Sequence, residues 1–146
     1  MTPETAATAR LRAFFESGWR PRDLVDFHSR HKLQVLAHEP SAYRELGRIV
    51  AQAGTRPRGE VEAAYRRTFD AALAVRPTRG RHTNALQHAF GLLSGRLDDT
   101  RRHDVLNAIE RYRQGQVPLS VPLALLRRDA DREHLDYLAQ QTYLWG

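Results

Sequence analysis

The chain has 146 residues, 41% hydrophobic and 27% charged, with 23 basic against 17 acidic residues, a formal net charge of +6 and no cysteine. A single domain of this size buries a core without covalent staples, and the missing thiols exclude disulfides, thiolate zinc sites and cysteine-held iron–sulfur clusters. No stretch reaches the ~18–20 apolar residues of a membrane span, and the start MTPETAATARLR lacks the apolar run of a signal peptide. A cytoplasmic protein is therefore expected, and its basic balance points to a polyanionic partner, nucleic acid first.

Helical periodicity dominates, and no sustained period-two alternation is bounded by turns. Thr2-Pro3-Glu4 opens a first helix, because threonine caps and proline suits the first turn. It runs to about Ser17, and Gly18 ends it. Pro21 starts a second helix that stops before Pro40. Pro40 or Ser41 starts a third, closed by Gly54, and the connector TRPRG (55–59) leads to a fourth over 60–75. That helix places Val61, Tyr65, Thr68 and Ala72 on one face, and Pro77 and Gly80 break it. A fifth runs from about Thr83 to Arg96. Asp98 or Asp99 caps a sixth, which aligns Val105, Ile109 and Tyr112 and ends near Gly115. VPLSVP (117–122) is a stiff apolar link before two last segments, about 122–131 and 133–144. The expectation is an all-α, compact single-domain bundle of seven or eight helices spanning residues 1–146.

The second helix is apolar around most of its circumference. Leu24, His28 and Val35 fall close together on the helical wheel, with His31 and Lys32 beside them; Asp26, Arg30 and Gln34 form the narrow hydrophilic side. Lys32 is the only lysine. An amine in a buried arc is costly to desolvate without partners, and a compact ammonium is not interchangeable with a guanidinium. Lys32 is either an amine in an enclosed site or a residue whose stem covers apolar surface while its head reaches water. His28 and His31 are either acid–base groups or satisfied core imidazoles.

The fifth helix carries a core stripe, Leu86, Phe90, Leu93 and Leu97. A second stripe holds Asn84, His88, Gly91 and Gly95. A glycine inside a helix costs ~1 kcal/mol relative to alanine. Two of them beside an amide and an imidazole imply close approach by a ligand or by another helix. Arg76, Arg79, Arg81 and His82 lead into this helix. Backbone N–H groups at a helix start plus arginines make a natural phosphate cradle, the alternative being a charged solvated loop. No GxxxxGK[ST] phosphate loop is present.

The segments DLVDFHSRHKLQVLAHEPSAYRELGRIVA, HTNALQHAFG and ERYRQGQVPLSVPLALLRR, followed by YLAQQTYLWG, resemble the YbgA-like bacterial domain of unknown function over about residues 20–145. That family occurs alone or fused after an iron–sulfur desulfurase domain, in proteins linked to removing sulfur from thiolated uracil, including 4-thiouridine in tRNA. The resemblance implies an RNA-binding module, tRNA foremost, or a nucleotide-binding one, with a separate desulfurase-type protein as a further candidate partner. The family pattern falls on His28, His31, Lys32, Tyr43, Arg44, Asn84 and His88, then on Arg113, Gly115, Pro118, Pro122, Gln141 and Tyr143. Two departures stand out. Arg127-Arg128-Asp129-Ala130 replaces a usual aromatic stretch, and Leu144-Trp145-Gly146 stands where the family usually continues into a proline-rich tail.

Two functional readings are open. In an RNA-binding module, arginines including Arg44, Arg76, Arg79, Arg81 and Arg113 neutralise phosphates. Tyr43, Tyr137, Tyr143 and Trp145 stack bases, while Tyr65 and Tyr112 belong to the core. In a small enzyme acting on a nucleotide or nucleobase, His28, His31 or His88 is the acid or base and Lys32 the cation or nucleophile. Asn84 and Gln141 are then orienting amides. No triad, nucleophile elbow or carboxylate pair is visible. No metal or other cofactor is expected: His28 and His31 with His88 match no standard ligand spacing, and Lys32 repels a cation. A purely structural docking role is the bland alternative, and the oligomeric state is left open. The site readings require two distant helices to bring Lys32, the imidazoles and Asn84 into one arginine-lined recess.

Overall fold

The first helix, α1 (Ala6–Glu16), is capped by Thr5, whose hydroxyl accepts from the Thr8 amide, in a computed structural model that describes residues 5–145. The opening expected at Thr2-Pro3-Glu4 lies outside the described residues. Gly18 follows α1 with φ of 75°, a left-handed conformation that costs glycine little. The chain continues through α2 (Pro21–His38), α3 (Pro40–Ala51), α4 (Arg58–Ala74), α5 (Arg79–Leu93), a 3₁₀ turn (Ser94–Arg96), α6 (Asp99–Arg113) and α7 (Ser120–Arg132). Two single turns close it, α8 (Asp136–Ala139) and α9 (Thr142–Trp145). The described residues contain no strand, so the protein is all-α.

Several boundaries and one buried face differ from the sequence-based expectation. α3 stops at Ala51, short of Gly54. α4 buries Phe69, not Thr68, alongside Val61, Tyr65 and Ala72. α5 begins at Arg79 rather than Thr83, because the Thr78 hydroxyl caps it by accepting from the Arg81 amide; Gly80, expected to help end α4, sits inside the first turn of α5. The helix expected over 133–144 is two separate turns. His134 takes φ of 52°, which ends α7 and redirects the chain.

α2 is central. It packs against α3, α4, α5 and α9, and it divides two apolar clusters. Leu24, Phe27 and Val35 enter one with α1, α3 and α4, around the fully buried Tyr65 and Phe69. Leu33, Leu36 and Ala37 enter the other with α5, α6, α7 and the C-terminal turns. The sequence expectation of a central second helix follows from this two-sided burial.

The C-terminal turns hook onto α2 through Gln141, which is 1% exposed. Its Oε1 accepts from the Leu33 amide at 3.3 Å, and its Nε2 donates to the Ser29 carbonyl at 2.5 Å and the Tyr137 carbonyl at 3.4 Å. Thr142 donates to Gln34 Oε1 at 2.8 Å. In the family-divergent stretch, fully buried Asp129 takes Arg101 and Arg128 at 3.5 and 3.2 Å and ties α7 to α6. The glycine stripe is not a contact surface within the chain: a Cβ placed on Gly91 or Gly95 meets nothing within 4 Å.

Candidate functional site

Asp26, Arg30, Gln34 and His38 recur every fourth residue along α2 and form one stripe. Three recesses follow it. The first, of ≈ 310 Å³, is lined by Asp26, Ser29, Arg30, Tyr137 and Gln140. The second, of ≈ 440 Å³, shares Gln140 and adds Thr5, Ala6, Ala7 and Arg10, together with Gln34, Thr142 and Trp145. The third, of ≈ 230 Å³, shares Gln34 and adds His38, His82, Leu119, Leu123 and Tyr143. Together they follow the hook 137–145 as one groove, with α1 opposite it at the second recess and α5 and α7 at the third. Asp26 is the one acidic side chain among the described residues of this lining.

Two of the imidazoles read as acid–base candidates, His28 and His31, are buried on α2. His31 Nδ1 donates to the Phe27 carbonyl at 2.8 Å, and Phe27 stacks on its ring at 4.0 Å. A carbonyl only accepts, so Nδ1 carries the proton and Nε2 accepts from Arg10 Nε at 3.3 Å. Burial pushes the His31 pKa down to about 4, against the Phe27 carbonyl and with help from the charges of Arg10 and Arg30. His31 is thereby a neutral post that holds Arg10 at the groove. His28 is also lowered to about 4, by burial first and then by Lys32 and His31. Its Nδ1 lies 3.0 Å from the hydroxyl of Tyr65, whose own pKa burial raises.

Lys32 is half-buried, its Nζ 5.3 Å from the centroid of the Tyr137 ring. It lines none of the three recesses. Asn84 is half-buried and His88 exposed on α5. Among the described residues, no hydrogen bond, ion pair or ring contact joins either to Lys32, His28 or His31. Among the described residues, none of these recesses brings Lys32, Asn84 and His88 together. α2 meets α5 through Leu33, Leu36 and Ala37 against Ala85, Leu86 and Ala89, and the amide and imidazoles that do converge are Gln34, His38 and His82.

The arginines before the HTN motif stand at the first turn of α5. Arg81 donates to the His38 carbonyl at 2.8 Å and pairs with Glu39 at 3.6 Å. Arg79 lies over the Tyr112 ring at 6.0 Å. His82 Nδ1 is 2.6 Å from the Tyr143 hydroxyl, and the two rings are near parallel at 5.8 Å. Burial, then His38, lowers the His82 pKa; burial, then Tyr112, raises that of Tyr143.

The remaining candidates are dispersed. Arg76 is exposed ahead of α5, and Arg44 is exposed on α3. Tyr43 is half-buried and packs against both clusters. Arg113 is held by Glu110 through bonds of 2.8 and 2.5 Å, which neutralises its charge locally. Gln141 spends its amide on main chain and positions the hook instead of orienting a ligand. Tyr143, 7% exposed, is a wall more than a free stacking ring, whereas Tyr137 and Trp145 are 40% and 60% exposed. Arg127 covers the Trp145 ring at 5.2 Å.

Arg10, Gln34, His38, Leu119, Leu123 and Thr142 were not site candidates from sequence. The four-residue recurrence along α2 was a legible signal for Gln34 and His38; nothing local marks the others. Among the described residues, no three His, Cys, Asp or Glu side chains are grouped to hold a metal ion, and no helix is long and apolar enough to cross a membrane.

A family described as "Protein of unknown function (DUF1722)" matches residues 32–145. The chain is 33% identical over 142 residues to the uncharacterized protein YbgA of Escherichia coli (strain K12), covering 95% of this chain and 84% of that protein. No solved structure matches.

Proposed function

The chain belongs to the DUF1722 family of proteins of unknown function, and from that premise we propose that it is a cytoplasmic RNA-binding module whose groove along α2 takes a single-stranded or looped segment, with tRNA the first candidate. The lining of the groove carries this reading. Arg10 and Arg30 flank it, Tyr137 and Trp145 expose their rings along it, and Gln34 and Gln140 offer amides between them. Arg30 makes no ion pair among the described residues. Cations beside accessible aromatic faces and amides are what recognition of unpaired bases uses. The net charge of +6 supplies the long-range attraction.

An enzyme working through His28, His31, Lys32, His88 and Asn84 draws less support. Two of its imidazoles are neutral core groups, and the other members are not brought together. Equilibrium binding of tRNA over a range of salt tests the choice. On single strands log K falls with log salt by ~0.7 per phosphate contact, and Arg30→Ala removes about one contact from that slope. An absence of tRNA binding at low salt overturns the reading, and turnover of a nucleotide favours the enzyme.

A further inference from the structure

The third recess differs from the rest of the groove. Its ≈ 230 Å³ falls below the ~300–1,000 Å³ usual for small-molecule pockets. It has room for one ring system. Leu119 and Leu123 supply an apolar wall, and the near-parallel rings of His82 and Tyr143 supply an aromatic one. We propose that this recess receives one unstacked nucleobase, held at its edge by Gln34, His38 and His82. The proposal deepens the RNA-binding reading and rests on it for the source of the base.

The polar groups are pinned and partly unspent. Gln34 Oε1 accepts from Thr142 at 2.8 Å, which fixes the amide, and its N–H donors find no partner among the described residues. His38 Nδ1 donates to the Val75 carbonyl at 2.7 Å, and its backbone carbonyl is braced by Arg81 at 2.8 Å. His82 is fixed through Nδ1 by Tyr143 at 2.6 Å. Among the described residues, the Nε2 atoms of both histidines make no hydrogen bond. A fixed amide donor beside two anchored imidazole rings complements the neighbouring donor and acceptor that a nucleobase edge presents. Each group is already ordered, so little conformational freedom is lost on binding.

The flanking nucleotides have a course. Arg79 lies over Tyr112, which meets His82 edge-on at 6.4 Å, and this exposed guanidinium is placed for a phosphate on the α5 side. On the other side Gln34 is shared with the second recess, where Trp145 offers a platform to the neighbouring base.

The test combines an NMR titration of the full chain with adenosine and uridine 5′-monophosphates and, separately, tRNA binding. Resonances of Leu119, Leu123, His38 and His82 are expected to shift with the nucleotides. Leu123→Trp fills the recess, and Gln34→Ala removes the donor; each should weaken nucleotide binding by about tenfold or more. Gln34 is half-buried, so its variant keeps the test open if the tryptophan is not accommodated. Shifts confined to other surfaces, or affinities unchanged in both variants, overturn the proposal. If tRNA binds while neither nucleotide moves the recess, the base receptor is wrong and the RNA reading stands. If the recess shifts while tRNA fails to bind, the base receptor stands and the RNA reading is wrong. Silence in both arms removes both.

Discussion

The Tyr143 hydroxyl lies 2.6 Å from Nδ1 of His82, across 61 residues of sequence. Burial raises the pKa of that phenol, so it keeps its proton and pairs with the imidazole as a neutral hydroxyl. The bond fastens the last turn of the chain to the first turn of α5 and closes one wall of the third recess. Tyr143→Phe deletes it with little change of shape. A loss of about 1 kcal/mol in urea unfolding is expected, and an unchanged midpoint would show that the bond contributes nothing net.

Gln141→Ala should release the hook while leaving α2 intact. Ser29 and Leu33 are one helical turn apart, so once the amide is gone their main-chain groups can pair with each other. The C-terminal segment has no such substitute. Faster proteolysis and amide exchange across residues 136–145, with α2 still protected, is the expected pattern. Uniform loss of protection over both would contradict it.

Stability should fall on mild acidification. His28 and His31 are lowered from 6.5 to about 4, so between those values the unfolded chain binds more protons than the folded one. Their contribution is fully present above pH ~6.5 and disappears as pH falls toward 4. Each displacement corresponds to about 3 kcal/mol, and His82, also lowered, acts in the same sense. Asp23, Glu39 and Glu110, also lowered, lose their contribution only at more acid pH, from their unfolded values near 4 downward. Denaturant midpoints between pH 7 and 5 therefore isolate the histidines. A flat profile there would refute their neutral burial.

Gly115→Ala should cost about 1–2 kcal/mol. Gly115 takes φ of 79° just past α6, where its N–H donates to the Tyr112 carbonyl and the next N–H to Arg111. An added Cβ would lie 2.6 Å from Arg79 Nη1. That guanidinium is the end of a flexible chain and can move, so the expected cost is backbone strain plus displacement of Arg79 from Tyr112. Thermal unfolding measures it, and Gly115→Asn should be milder because asparagine tolerates the left-handed region.

Trp145→Ala should cost about 1 kcal/mol of stability, through loss of the indole N–H bond to the Ala139 carbonyl at 2.8 Å, and weaken RNA binding. The ring is 60% exposed, so little burial is lost. Stacking of one base on an aromatic is worth ~1–3 kcal/mol by alanine substitution, which predicts a loss of about tenfold in affinity for tRNA. Equal binding by both chains would remove the tryptophan from the interface.

Helix identity was a local matter, and it was legible for that reason. Caps act over three residues, as Thr5 and Asp98 do. Apolar recurrence acts over three or four, as in Leu24, Phe27 and Val35. Both are written into neighbouring positions, and so was the central placement of α2. The same locality misled where a break depended on distant partners. Residues 133–144 carry helical periodicity, yet they are interrupted where Gln141 pairs with main chain 108 and 112 residues away.

The site belongs to tertiary structure. The sequence placed imidazoles and Lys32 inside α2 and arginines before α5, but it had no means of deciding which of them would meet. A helical wheel orders residues around one axis and says nothing of the rotation of one helix against another. Packing of Leu33, Leu36 and Ala37 on Ala85, Leu86 and Ala89 set that rotation. It brought Gln34, His38 and His82 to one recess, left His88 on the outer surface, and turned His28 and His31 into neutral core groups, because interhelical register is selected by summed burial of apolar area and not by the few polar groups carried along with it.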